Sequence, residues 1–133
     1  MDFSLLTTTA ECDAVIAIFE EKKADAEYRK EGSVRSADSI LSRKTKRDTD
    51  LSSTQAQISS LDTVIGSLPD GDIKDQFVYE KTLEEHKLFR LQNSSAVSLE
   101  SYYVRELEKE NYEAEITKIT ADITALNAHK ATL

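Results

Sequence analysis

Cysteine and histidine are the side chains most often used as nucleophile, proton carrier or nitrogen and sulfur metal ligand, and this sequence has three of them: Cys12, His86 and His129. A metal site in a helical bundle draws on Glu and His three residues apart on one helix face. His86 ends Glu84-Glu85-His86 with Leu83 at the third position before it, so the spacing fails and a solvated histidine is expected. The residues three and four before His129 are Leu126 and Ala125, both apolar, and a cation near a helix C-terminus accounts for it. Cys12 adjoins an apolar run, where a cysteine behaves as a small buried hydrophobe. A lone cysteine allows neither an intrachain disulfide nor a cysteine-based metal cluster within one copy. His129 could approach Cys12 only if the chain folds back on itself, and no dyad is read from that. There is no glycine-rich phosphate loop. The expectation is a protein with no catalytic residue, no cofactor and no metal, and not an enzyme.

Charge narrows the partners. The formal charge is −8 and the sequence pI about 4.8, a field that repels phosphate backbones and anionic bilayers, so neither nucleic acid nor membrane is expected. The one basic island is Arg43, Lys44, Lys46 and Arg47, with Arg35 upstream. It reads as a solvated helix face that could also contact an acidic partner. Glu106, Glu108, Glu110, Glu113 and Glu115 form an acidic run relieved only by Arg105 and Lys109. The first residues lack the basic and apolar regions of a secretory signal, and the richest apolar window is the six residues from Ala14 to Phe19. The localisation expected is cytoplasmic, or within a particle, or outside the cell by a non-classical export route.

The elements that must position these residues are helices. The chain has three glycines and one proline in 133 residues, with 39% hydrophobic and 32% charged residues, which favours an all-α fold with no sheet. Leu51, Ile58, Leu61, Ile65 and Leu68 repeat in alternating steps of three and four, with Thr54 in the gap, and Tyr112, Ile116, Ile119, Ile123 and Leu126 do the same. Such spacing marks helices packed lengthwise. Thr8 with Glu11 three residues on fits a capping box, and Asp72 with Asp75 places acid at a second helix start.

Gly66 to Asp72 (GSLPDGD) holds the proline and two of the glycines, so the chain is expected to turn there and leave arm one at about 7–66 and arm two at about 72–131. Such a turn sets residue i opposite roughly residue 140 minus i. Apolar Cys12–Phe19 then meets Ile123–Ala128, Leu51–Ile65 meets the Phe77, Val78, Leu83 and Leu88 region, and the polar stretches also coincide. The architecture read is a single helical domain, 1–133, built as a long antiparallel hairpin (a two-helix coiled coil), with Gly32 and Asn93–Ser95 as the places where it could kink. Arms of about 60 helical residues would reach on the order of 90 Å. The alternative is a compact up-down four-helix bundle with further turns at Gly32 and near Asn93; folding back at Gly32 would lay Cys12–Phe19 beside charged Lys46–Ser53. Hairpins of two long helices recur among small secreted bacterial effectors with a Trp-x-Gly turn and among secretion-needle subunits. This chain has no tryptophan and is longer than either, so the likeness is one of shape and implies no membership.

Adjacent apolar residues on a helix point about 100° apart, so the runs Phe77-Val78-Tyr79, Leu88-Phe89 and Tyr102-Tyr103 cannot all face one partner helix, and the excess is carried by Phe77, Tyr79, Leu88, Phe89, Tyr102 and Tyr103. These six are read as a partner interface, and Arg43, Lys44, Lys46 and Arg47 as a basic contact patch. The function expected is that of a structural or adaptor protein acting through helical protein–protein contacts, as a subunit of a homo-oligomer or larger assembly. The alternative is an acidic regulatory binder, inhibitor or assembly chaperone that masks a partner surface.

Overall fold

A computed structural model describes residues 1–94 and 99–133, and every regular element among them is an α-helix. The order is α1 (Thr9–Ser67), α2 (Asp72–Gln92) and α3 (Leu99–Ala131). The first helix starts where its capping residues stand. Thr8 Oγ1 accepts from the Glu11 N–H at 3.2 Å, and Glu11 Oε2 accepts from the backbone N–H groups of Thr7 at 2.8 Å and Thr8 at 3.1 Å. Donors that a helix N-terminus leaves unpaired are thereby satisfied. From there α1 runs 59 residues and is helical through Gly32, so the turn needed by a four-helix bundle at that position does not occur. One interior glycine costs a helix only about 1 kcal/mol against Ala, which the flanking packing outweighs.

The breakers act at Leu68–Gly71. Leu68 N–H still bonds the Ile65 carbonyl at 3.3 Å, Pro69 then lacks a donor to continue the ladder, and Gly71 precedes α2 with φ 153°. That backbone angle is open to glycine and strained for a residue with a Cβ. Arm two is two helices, α2 ending at Gln92 beside the kink expected at Asn93–Ser95. Asn93 closes α2, with its N–H and its Nδ2 both donating to the Phe89 carbonyl, at 3.0 and 2.8 Å. Its short side chain competes for the backbone and so favours helix ends over interiors. Ser95, the far edge of the kink expected near Asn93, lies outside the described residues.

Two compact units share α1: residues 1–38 with 100–133, and residues 39–99. In the first, α1 and α3 run in opposite directions. His129 Nε2 bonds the Leu6 carbonyl at 2.9 Å, Lys130 pairs with Asp13 at 2.5 Å, Lys30 with Glu113 at 3.4 Å, and Ser33 Oγ donates to Glu108 at 3.0 Å. Its core is Cys12, Ala26, Ala37, Ile123 and Leu126, with Ser33 buried among them. In the second unit α1 and α2 are antiparallel. Arg47 reaches the carbonyls of Leu91 and Gln92, and Lys81 pairs with Asp62 at 2.5 Å. Ile40, Thr54 and Leu61 are buried there. Each of these pairs lies within a few residues of the correspondence of i with 140 minus i.

Along α1 every position reached from Cys12 in alternating steps of four and three, as far as Ile65, is buried or half-buried. The series takes in Lys23, Lys30, Lys44 and Arg47 as well as apolar residues, so the seam continues where hydrophobicity lapses. Gly32 and Gly71 test the backbone account, since a Cβ would meet nothing within 4 Å at either. Gly32→Ala should raise stability by about 1 kcal/mol, and Gly71→Ala should lower it by roughly 1 kcal/mol, both read from urea unfolding. Equal shifts of one sign would contradict the assigned conformations.

Candidate functional site

The residues read as an interface separate into two sets once placed on the seam. Phe77 and Leu88 are half-buried on the side of α2 that follows the three-and-four series, and Tyr102 holds the equivalent place on α3. Tyr79, Phe89 and Tyr103 point outward, 64%, 66% and 66% exposed. The Tyr102 and Tyr103 rings meet edge to face, centroids 5.3 Å apart. Spacing resolves the two sets: Phe77 and Leu88 fall on the series Lys74, Phe77, Lys81, Glu84, Leu88, Leu91, and Tyr79 and Phe89 do not. Val78, Leu83, Val104 and Leu107 are outward apolar residues that the sequence reading left out of the interface. An open hollow of about 800 Å³ lies against α2, lined by Leu83, His86, Phe89 and Arg90 among others.

The basic island also divides. Arg47 Nε donates to the Leu91 carbonyl at 2.9 Å and Nη2 to the Gln92 carbonyl at 3.3 Å. Those carbonyls belong to the last turn of α2, where four acceptors lack helical partners and a cation meets the negative end of the helix. Lys44 pairs with Asp48 at 2.6 Å, and Arg43 bonds the Ser39 carbonyl at 3.4 Å. Lys46 has no side-chain partner among the described residues. Arg47 is therefore a structural clamp on the end of α2.

The acidic run is partly spent inside its own unit. Glu108 accepts from Arg105 at 3.0 Å and from Ser33, and these bonds, Arg105 foremost, hold its carboxyl below the ordinary range. The field of Glu106, followed by the hydrogen bond it accepts, raises the Lys109 ammonium, and the hydrogen bond that Lys81 donates to Asp62 raises the Lys81 ammonium. Glu11 is lowered by the Thr7 and Thr8 backbone donors.

Among the residues with nucleophilic or ligating chemistry, Cys12 is fully buried in the apolar core of its unit. His129 is engaged by the Leu6 carbonyl and His86 is exposed on α2. No three metal-ligating side chains converge among the described residues, and none of the described helices is long and apolar enough to cross a membrane. What the arrangement offers is exposed apolar side chains on outer helix faces, framed by charge. No protein-family model, no curated protein and no solved structure matches the chain.

Thr54 is the orphan of the second unit: its hydroxyl is buried, with relative exposure of 1%, and lacks a hydrogen-bond partner. Thr54→Val keeps the shape and removes the unmet donor, so it should stabilise by about 1 kcal/mol. Arg47→Met strips the α2 carbonyls of their donors and should destabilise by about 1–3 kcal/mol. Chemical denaturation checks both, and a neutral Arg47→Met would remove the clamp from the account.

Acid provides a separate test. Because the folded Glu11 and Glu108 carboxyls lie below their ordinary value of 4.5, their contribution is full above that value and is lost as pH falls through the folded value. The stability gap between wild type and Glu11→Ala should be widest at neutral pH and close on acidification, followed by circular dichroism. A gap independent of pH would show that the carboxylate does not act through its charge.

Proposed function

We propose that this protein is a non-enzymatic structural or adaptor protein, a single helical domain built as an antiparallel helical hairpin, that works through helical protein–protein contacts as a subunit of a homo-oligomer or larger assembly. The observation that carries this reading is the balance of buried and exposed apolar residues. Among the described residues seven hydrophobic ones are buried, most of them small or medium, while Ile18, Tyr28, Ile73, Tyr79, Leu83, Phe89, Tyr103 and Leu107 are each at least half exposed. Exposed apolar surface of this extent favours association. No nucleic acid, membrane or cofactor enters this reading, and its setting is the cytoplasm, a particle or a non-classical export route.

A second reading rests on a separate observation. Residues 1–38 and 100–133 hold 16 Asp and Glu against 9 Lys and Arg, while residues 39–99 hold 9 against 8. So uneven a charge suits an acidic regulatory binder, inhibitor or chaperone that covers a basic partner surface. Salt separates the two readings, because charge masking weakens steeply with ionic strength and apolar association does not. Light scattering should give a mass above 14.9 kDa that rises with concentration and persists in high salt. A single-copy mass at every concentration would overturn homo-oligomerisation.

A further inference from the structure

The outward stripe of α2 has an arrangement that its seam does not require. Asp72, Gln76, Tyr79, Leu83, His86 and Arg90 are all exposed and repeat in steps of four, three, four, three and four. That series reads the same from either end. A second helix lying antiparallel on it, related by a two-fold axis level with position 81, would present the same stripe in reverse. Asp72 would then face Arg90, Gln76 would face His86, and Tyr79 would face Leu83, each contact made twice. Antiparallel helix pairs match positions in this layered way, and an isologous interface requires a surface complementary to itself.

We propose that the partner of this face is a second copy of the same chain, with α2 packed against α2 across a two-fold axis. The proposal rests on the association reading above and names its surface. Acid at the start of α2 and base at its end also suit the helix dipole, which accounts for the two ends taken alone. It does not account for Tyr79 and Leu83, 64% and 50% exposed at the centre. Nor does it explain why Asp72, Gln76, His86 and Arg90 have no side-chain partner among the described residues, whereas Lys74 and Lys81 on the same helix are paired. The charge census points to the same place. Two copies repel where 16 acids stand against 9 bases, and the near-neutral 39–99 segment is where they approach at least cost. An apolar centre with charges at its ends sets register and direction together.

The test is charge reversal with rescue, read by sedimentation equilibrium of the full chain, with circular dichroism to confirm that helix content is kept. Wild type should sediment as twice 14.9 kDa. Asp72→Arg alone and Arg90→Asp alone should each weaken the dimer roughly tenfold, and Asp72→Arg with Arg90→Asp should return it to within about threefold of wild type. Leu83→Asp, at an exposed position, should give a single-copy mass with α2 intact. A dimer that none of these substitutions moves would overturn pairing through α2 and leave self-association standing. A wild-type chain at single-copy mass up to about 200 μM, a concentration that would populate any dimer of useful affinity, would overturn the second copy as partner and leave docking on another protein as the remaining form of the reading.

Discussion

Where a polar group in the helix seam finds a partner across it, that pairing fixes which residues lie opposite each other, and the register of each helix pair follows from a few such contacts. An apolar seam fixes only that two helices lie together. Here Lys30, Ser33 and Arg47 occupy seam positions, and each has a defined register because its acceptor is a particular atom: Glu113 for Lys30, Glu108 for Ser33, the end of α2 for Arg47. Half-exposed ion pairs contribute modestly to stability, typically well under 1 kcal/mol. Their cost when mismatched is larger, because a shifted register would bury a charge against an apolar side chain. Slippage by one helical turn is therefore opposed more strongly than separation.

The same reasoning explains why the buried set is so small. Cys12, Ala26 and Ala37 are compact side chains, which bring helices close but remove little apolar surface from water. At about 25 cal/mol per Å², a seam of this kind stabilises far less than a globular core of equal length. The outward Tyr79, Leu83 and Phe89 hold the apolar area that the seam does not use.

Much of the fold was legible in the sequence, because it was written in spacing and in breakers. The turn at Leu68–Gly71, the Thr8–Glu11 capping box, acid at the start of α2 and the three-and-four series from Tyr112 to Leu126 are all local signals. The break after Gln92 was legible only as a weakness. Asn93 can extend a helix or end it, and ending there leaves the carbonyls of Leu91 and Gln92 to be satisfied by Arg47, 44 and 45 residues away from them in sequence. The candidate surface was half legible. Residues at Phe77–Tyr79 and Leu88–Phe89 were recognised as too apolar for one face, yet which of each pair faces α1 depends on a phase set by Lys74, Lys81 and Glu84. A search for apolar periodicity passes over charged seam residues, and for that reason it also missed Lys23, Lys30 and Lys44 on α1.

The distances in sequence between paired residues differ greatly along the molecule. Asp62 and Lys81 lie 19 apart and Arg47 and Leu91 44 apart, while Ser33 and Glu108 are separated by 75 and Asp13 and Lys130 by 117. Closing a loop costs entropy that grows with its length, so the pairs beside Pro69 close at the least entropic cost and those at the far end at the greatest. During translation this order inverts the usual advantage of early residues. The helix around Cys12 leaves the ribosome long before Leu126 exists to cover it, and it must wait with its apolar side open. The oldest stretch of the chain is thus the last to be sheltered, and it is the stretch most dependent on the final turns of α3.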